Sequence, residues 1–144
     1  MIPFRKTALS MVTLLALSLN AATTEADVVA VVSADNPVNT LSRNELINIF
    51  LGKTQHFPDG SAAKPIDQNE DTATHEAFYV TFANKSEAQI KSYWSKMIFT
   101  GRGRPPKSVT SGEEVKSWLA ENPEGIGYLD ESYVDDSLKI LQVR

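Results

Sequence analysis

The run VVAVVS, Val28 to Ser33, constrains this chain more than any other stretch. It is apolar and mostly β-branched, with no polar residue alternating into it. A strand of this kind has to be covered on both faces, so it belongs inside a sheet with elements packed above and below. The covering helices are legible further on. In LSRNELINIFLGK, Ser42 and Glu45 stand at capping-box spacing, Leu46, Ile49 and Phe50 share one face, and Gly52 ends the helix. Pro58-Asp59-Gly60 is a turn, and KPID is a brief second strand. A helix then runs from Thr72 or Thr74 to about Ala83, with His75, Phe78, Tyr79 and Phe82 at helical spacing.

Another helix is capped near Ser86 and carries Ile90, Tyr93, Trp94, Met97 and Ile98 as a stripe. TGRGRPPKSVTS, with two glycines and paired prolines, is expected to be irregular. Ser111 and Glu114 open a further helix bearing Val115, Trp118 and Leu119. Strands follow at Ile126 to Leu129 and in SLKILQV. Strands separated by helices predict an α/β fold, a small and mainly parallel sheet flanked by helices.

The first residues read differently. Arg5 and Lys6 precede the largely apolar ALSMVTLLALSL, and small residues follow. That order is the pattern of a signal peptide, and the apolar run is short for a bilayer span. Cleavage is expected after Ala26, with Ala22 as the second choice, and an uncleaved anchor is the alternative. Residues 1–26 are thus assigned to the signal and 27–144 to one domain, in a periplasmic location. The chain has no cysteine, which excludes disulfide stapling and lipid attachment at a cysteine. Removing Arg5, Lys6 and Glu25 from the 14 basic and 18 acidic residues leaves 12 and 17, a net charge of −5. This balance argues against nucleic acid and against an anionic membrane surface as general partners, and no insertion into the membrane is expected after cleavage.

Chemistry concentrates in KPIDQNEDTATHEAF, where a strand meets a helix through a turn rich in hydroxyls and acids. Backbone N–H groups and threonine hydroxyls at such a junction can hold an anion, whereas Glu70, Asp71 and Glu76 oppose one. The plainer reading of Thr72 and Thr74 is helix capping. Asp71 and His75 stand four apart, a ligand spacing, but no third ligand completes a metal site and none is assigned. No nucleophile motif such as Gly-x-Ser-x-Gly occurs, and no catalytic residue is assigned. Adjacent acids such as Asp135-Asp136 read as solvated charge. No cofactor is implied. Arg102, Arg104 and Lys107 gather in one loop as a secondary contact for an oxyanion or a partner, or simply as solvated charge.

Three stretches carry a family resemblance. LSRNELINIFLGK resembles a helix of the form sxxexxxIFxGK, AFYVTFANKSEAQIKSYWSKMIFTGR follows in order, and NPEGIGYLD resembles a strand of the form PxGIGYv. Together they are similar to the phosphate-binding proteins of bacterial ABC importers, which are periplasmic type II solute-binding proteins. The resemblance covers nearly all of residues 27–144 and implies one lobe of that two-lobed fold. It implies no catalysis. The glycine- and serine-rich junction of the other lobe has no counterpart here.

Within this lobe the family's junction reads arginine, a short polar gap, then Ser-Gly-Thr. The matching positions are Gln68, Thr72, Ala73 and Thr74. Thr74 keeps the hydroxyl and Thr72 replaces serine, while Ala73 replaces glycine and narrows the backbone's approach. Gln68 exchanges a bidentate charged fork for a neutral amide. A helix N-terminus contributes roughly 0.3–1 kcal/mol toward an anion. One carboxylate about 4 Å away opposes it by about 1 kcal/mol even in water. Phosphate binding is therefore expected to be weak, on the order of millimolar or worse. A lobe without a facing wall cannot close on a ligand by hinge motion. Two functions follow: weak capture for an importer, or a regulatory or structural role in which the lobe binds an envelope or sensor protein. A homodimer is a further way to rebuild a cleft.

Overall fold

The structure, a computed structural model, describes residues 27–144; the expected leader and both of its cleavage positions lie outside the described residues. In chain order the first elements are β1 (Val28–Ser33), β2 (Thr40–Leu41), α1 (Arg43–Phe50), β3 (Lys64–Gln68) and α2 (Ala73–Phe78). They are followed by α3 (Glu87–Phe99), β4 (Lys107–Val109), α4 (Gly112–Glu121), β5 (Gly125–Asp130), β6 (Leu138–Ile140) and β7 (Gln142–Val143). Five strands form one sheet in the order β4-β3-β5-β1-β6, and β2 pairs with β7 in a parallel ribbon beside it. Strands β4, β3, β5 and β6 point the same way, while β1 runs against both of its neighbours. The sheet is thus mainly parallel with one reversed strand.

The unbroken apolar character of β1 has its reason in two layers of cover. Ala30 and Val32 face one core, together with Leu46 and Phe50 of α1, Phe78 of α2, and Ile90 and Trp94 of α3. Val31 faces the other side, against Ile66 and against Val115 and Leu119 of α4. Strand β5 divides the same way, Ile126 and Tyr128 to the first side and Leu129 to the second. Both strands therefore have to be apolar at successive positions.

The glycines of GIGY answer a packing demand from α4. A Cβ on Gly125 would come within 2.5 Å of Trp118 and 2.8 Å of Leu119. One on Gly127 would come within 2.8 Å of Ile66 and 2.9 Å of Val115. Only a bare backbone lets the helix settle onto the strand at that depth.

Caps form where the spacing predicts them. Ser42 and Glu45 satisfy each other's backbone N–H groups at 3.1 and 2.7 Å, and Ser86 and Gln89 do likewise at 3.3 and 2.9 Å. Ser111 accepts from the N–H of Glu114 at 3.2 Å, but the Glu114 carboxylate turns to Thr110 instead, so the box closes on one side only. Gly52 follows α1 with φ of 71°.

Three expectations change. TGRGRPPKSVTS is not wholly irregular: Lys107–Val109 is strand β4, because the open edge of β3 pairs with it in parallel register. The helix expected from Thr72 or Thr74 to Ala83 is α-helical only through Phe78 and widens to a π turn over Tyr79–Ala83, ended by Asn84 in the left-handed region. The closing strand is split at Leu141, so that β6 pairs with β1 and β7 with β2.

Candidate functional site at the junction of β3 and α2

Strand β3 ends at Gln68, and the chain turns through Asn69, Glu70 and Asp71 into α2. The turn is closed by the N–H of Thr72, which donates to the Asn69 carbonyl at 3.0 Å. The Thr72 hydroxyl donates to the same carbonyl at 2.8 Å and accepts from the N–H of His75 at 3.2 Å. Thr72 is the N-cap, and both functions of its hydroxyl are engaged.

Gln68 points away from the turn. Its side-chain amide donates to the Tyr128 carbonyl on β5 at 2.9 Å, and the residue is buried. The amide that stands where the resembling family has arginine serves as a cross-strand link. Ala73 and Thr74 line an open groove of about 500 Å³ with Asp27, Val28, Glu76, Ala77, Val80 and Asp130. Three of its lining residues are acidic and none is basic. Asp130 is held below the usual carboxylate range by the hydroxyl and backbone N–H of Ser132, so it stays charged into acid.

The other candidates lie elsewhere. Gln68 borders a second hollow, of about 450 Å³, with Asn69, Glu70, Asp71, His75 and Trp94. Arg104 borders a third with Ile49, Pro65 and Trp118. Arg102 follows the C-terminal turn of α3 and is exposed. The structure therefore keeps Ala73 and Thr74 together, turns Gln68 inward, and brings neither arginine to the groove.

Beneath the junction lies a buried polar knot that the sequence reading passed over. Asp67, facing inward from β3, accepts from the Tyr79 hydroxyl at 2.6 Å, from the Tyr128 hydroxyl, and from the N–H of Gln68 at 2.9 Å. His75 is buried beside it, Nε2 lying 3.8 Å from the Asp67 carboxylate and Nδ1 2.5 Å from that of Glu87. A carboxylate can only accept, so Nδ1 carries the proton in that bond. His75 therefore pairs with Glu87 at the start of α3 rather than with Asp71. Tyr128 stacks on Phe78, ring centres 3.9 Å apart and planes within 4°. Burial first, then the Asp67 charge, pushes both phenols above the ordinary tyrosine range, so both remain donors at any physiological pH.

One signal in the sequence could have revealed this knot. An acid next to Ile66 inside a four-residue strand is out of place unless it is paired, and buried acids are almost always paired. The partners could not have been chosen: Tyr79 and Tyr128 sit in apolar stripes that read as plain core. Asp67 and the two phenols satisfy one another, whereas His75 Nε2, 3.8 Å from the Asp67 carboxylate, makes no hydrogen bond to another described residue. The knot fixes β3, β5, α2 and α3 to one another, and its members Asp67 and His75 border the second hollow rather than the groove lined by Ala73 and Thr74.

No protein-family model matches the chain, and no curated protein matches it. Solved structures do. An ABC-type phosphate transport receptor from Vibrio cholerae is similar over 81% of this chain and 45% of its own, at 19% identity and a TM-score of 0.63. PstS from Borrelia burgdorferi is similar over 81% and 47%, at 18% identity and a TM-score of 0.61. A protein from Clostridium perfringens, described as a phosphate ABC transporter substrate-binding protein with bound phosphate, gives 81% and 44%, 22% identity and 0.61. The chain spans less than half the length of each. At these identities the likeness is one of fold, and it bears out the architecture implied by the sequence motifs: the chain has the α/β fold of about half of a phosphate-type substrate-binding protein.

Proposed function

We propose that the protein is a non-enzymatic periplasmic binding module whose own oxyanion affinity is weak, on the order of millimolar or worse. The observation that carries this is the state of the polar groups at the junction. Gln68 and the Thr72 hydroxyl are engaged within the chain, and the remaining groove carries Asp27, Glu76 and Asp130. Thr74 and the backbone at Ala73 and Thr74 are the groups left to meet an anion. The likeness to phosphate-binding structures supports the fold of the module, and the acidic groove argues against tight capture of phosphate by this surface.

Calorimetry with phosphate and with sulfate, alongside amide shifts of residues 72–75, tests the reading. Saturation only in the millimolar range, with shifts confined to Ala73 and Thr74, is the expected result. Sub-micromolar binding by the monomer would overturn it.

A second reading, docking of an envelope or sensor protein, is favoured by the half-exposed Val80 beside those acids. An apolar floor with an acidic rim suits a basic, amphipathic segment better than a free anion. A homodimer across the groove is the self-association form of this reading, and light scattering would detect it.

A further inference from the structure

The chain's charge is segregated in a way that its net value hides. From Ala88 to Gly112 there are five basic residues, Lys91, Lys96, Arg102, Arg104 and Lys107, and no acidic one. All five are exposed, and none forms an ion pair with another described residue. The same segment holds the two most exposed large apolar side chains among the described residues, Ile98 at 57% and Phe99 at 93%.

These two stand on a fixed tip. The end of α3 is stapled by the N–H of Thr100 to the Lys96 carbonyl at 3.0 Å, Gly101 to Ile98 at 3.1 Å and Arg102 to Met97 at 2.9 Å. Gly101 takes the positive φ of 67° that this helix ending needs. Lys96 lies one turn before Phe99, and Arg102 comes immediately after the staple.

From this juxtaposition we propose that the tip of α3, through Phe99 and Ile98 with Lys96 and Arg102 near them in the chain and Arg104 two residues further on, docks the protein peripherally on an anionic phospholipid leaflet. At 93% exposure the Phe99 ring projects from the surface. A protruding aromatic flanked in the chain by long cations needs no matching pocket: headgroups accept the cations while the ring enters the interface. The negative net charge does not forbid this. Glu70 and Asp71 border a hollow with Pro105 and Pro106, and Glu114 borders one with Lys107, but neither hollow is lined by Lys96, Ile98, Phe99 or Arg102. Charges farther off than about 8 Å are largely screened at physiological salt. The docking is independent of the phosphate reading and involves no insertion of a helix.

The absence of cysteine permits a local test on the full chain. Thr100→Cys carries an environment-sensitive fluorophore at the tip, and Asp59→Cys carries it on a remote loop. Vesicles of phosphatidylglycerol with phosphatidylethanolamine are compared with vesicles of phosphatidylcholine. A blue shift at position 100 alone, on the anionic vesicles alone and weakened by salt, is expected. In the Thr100→Cys background, Phe99→Ser and the pair Arg102→Glu with Arg104→Glu should each weaken the apparent affinity about tenfold or more. Because the label reports the tip, partition of the leader into vesicles does not imitate the signal. An equal response on phosphatidylcholine, an equal response at position 59, no response, or either variant binding like the parent overturns the proposal.

Discussion

At the scale of single residues the protein is organised by Asp67. Burying a carboxylate is costly unless donors surround it, and here two phenols and a backbone N–H do so. Tyr128→Phe should therefore destabilise the fold by about 1–3 kcal/mol in urea unfolding, because a buried acceptor loses its partner. The pH dependence has a definite sign. Tyr79 and Tyr128 have folded pKa values raised above the ordinary tyrosine value of 10.0, so their contribution is complete below that pH and is lost as pH rises beyond it. Each phenol should then add a slope of about 1.4 kcal/mol per pH unit above pH ~10. Tyr93 is raised too, by burial, so the comparison of Tyr128→Phe with the parent isolates one phenol's share. A parent and variant with the same alkaline slope would show that the Tyr128 phenol does not hold its proton in the fold. The acid and its tyrosines were all visible in the sequence, but a pairing across residues 67 and 128 is a contact between strands, and no local pattern encodes it.

At the scale of elements, local rules were obeyed where the signal was local. Caps at Ser42 and Ser86 formed as spaced, because a hydroxyl three residues from a carboxylate or amide needs nothing outside its own turn. Ser42→Ala should lower stability by about 1 kcal/mol, read from the urea midpoint at constant m. Gly127→Ala tests the packing of α4 on β5. Its added methyl would press on Ile66 and Val115, and a loss of about 1–3 kcal/mol is expected from overpacking. Unchanged stability would mean that α4 can lift from the sheet without cost. Strand β4 was missed for the opposite reason. Its backbone pairs with the edge of β3, and Pro105-Pro106 just before it gave a local signal against any regular element.

At the scale of the whole molecule, two surfaces of unlike charge are present: the acidic groove at α2 and the basic segment at the end of α3. Phe99→Ser should leave the thermal midpoint nearly unchanged, within about 0.5 kcal/mol, because a side chain this exposed holds nothing together. A larger loss would make Phe99 a folding residue and not a contact for another surface. The sequence by itself determined the layered α/β plan, since a continuous valine run demands two covers and the capped amphipathic helixes between strands supply them. Tertiary structure alone decided that Gln68 turns to Tyr128, that His75 meets Glu87, and that Phe99 within the basic segment is left bare. The physical reason is range: caps and periodicity act within one or two turns, whereas the direction of a buried polar side chain is set by whichever partner the fold brings within about 3 Å.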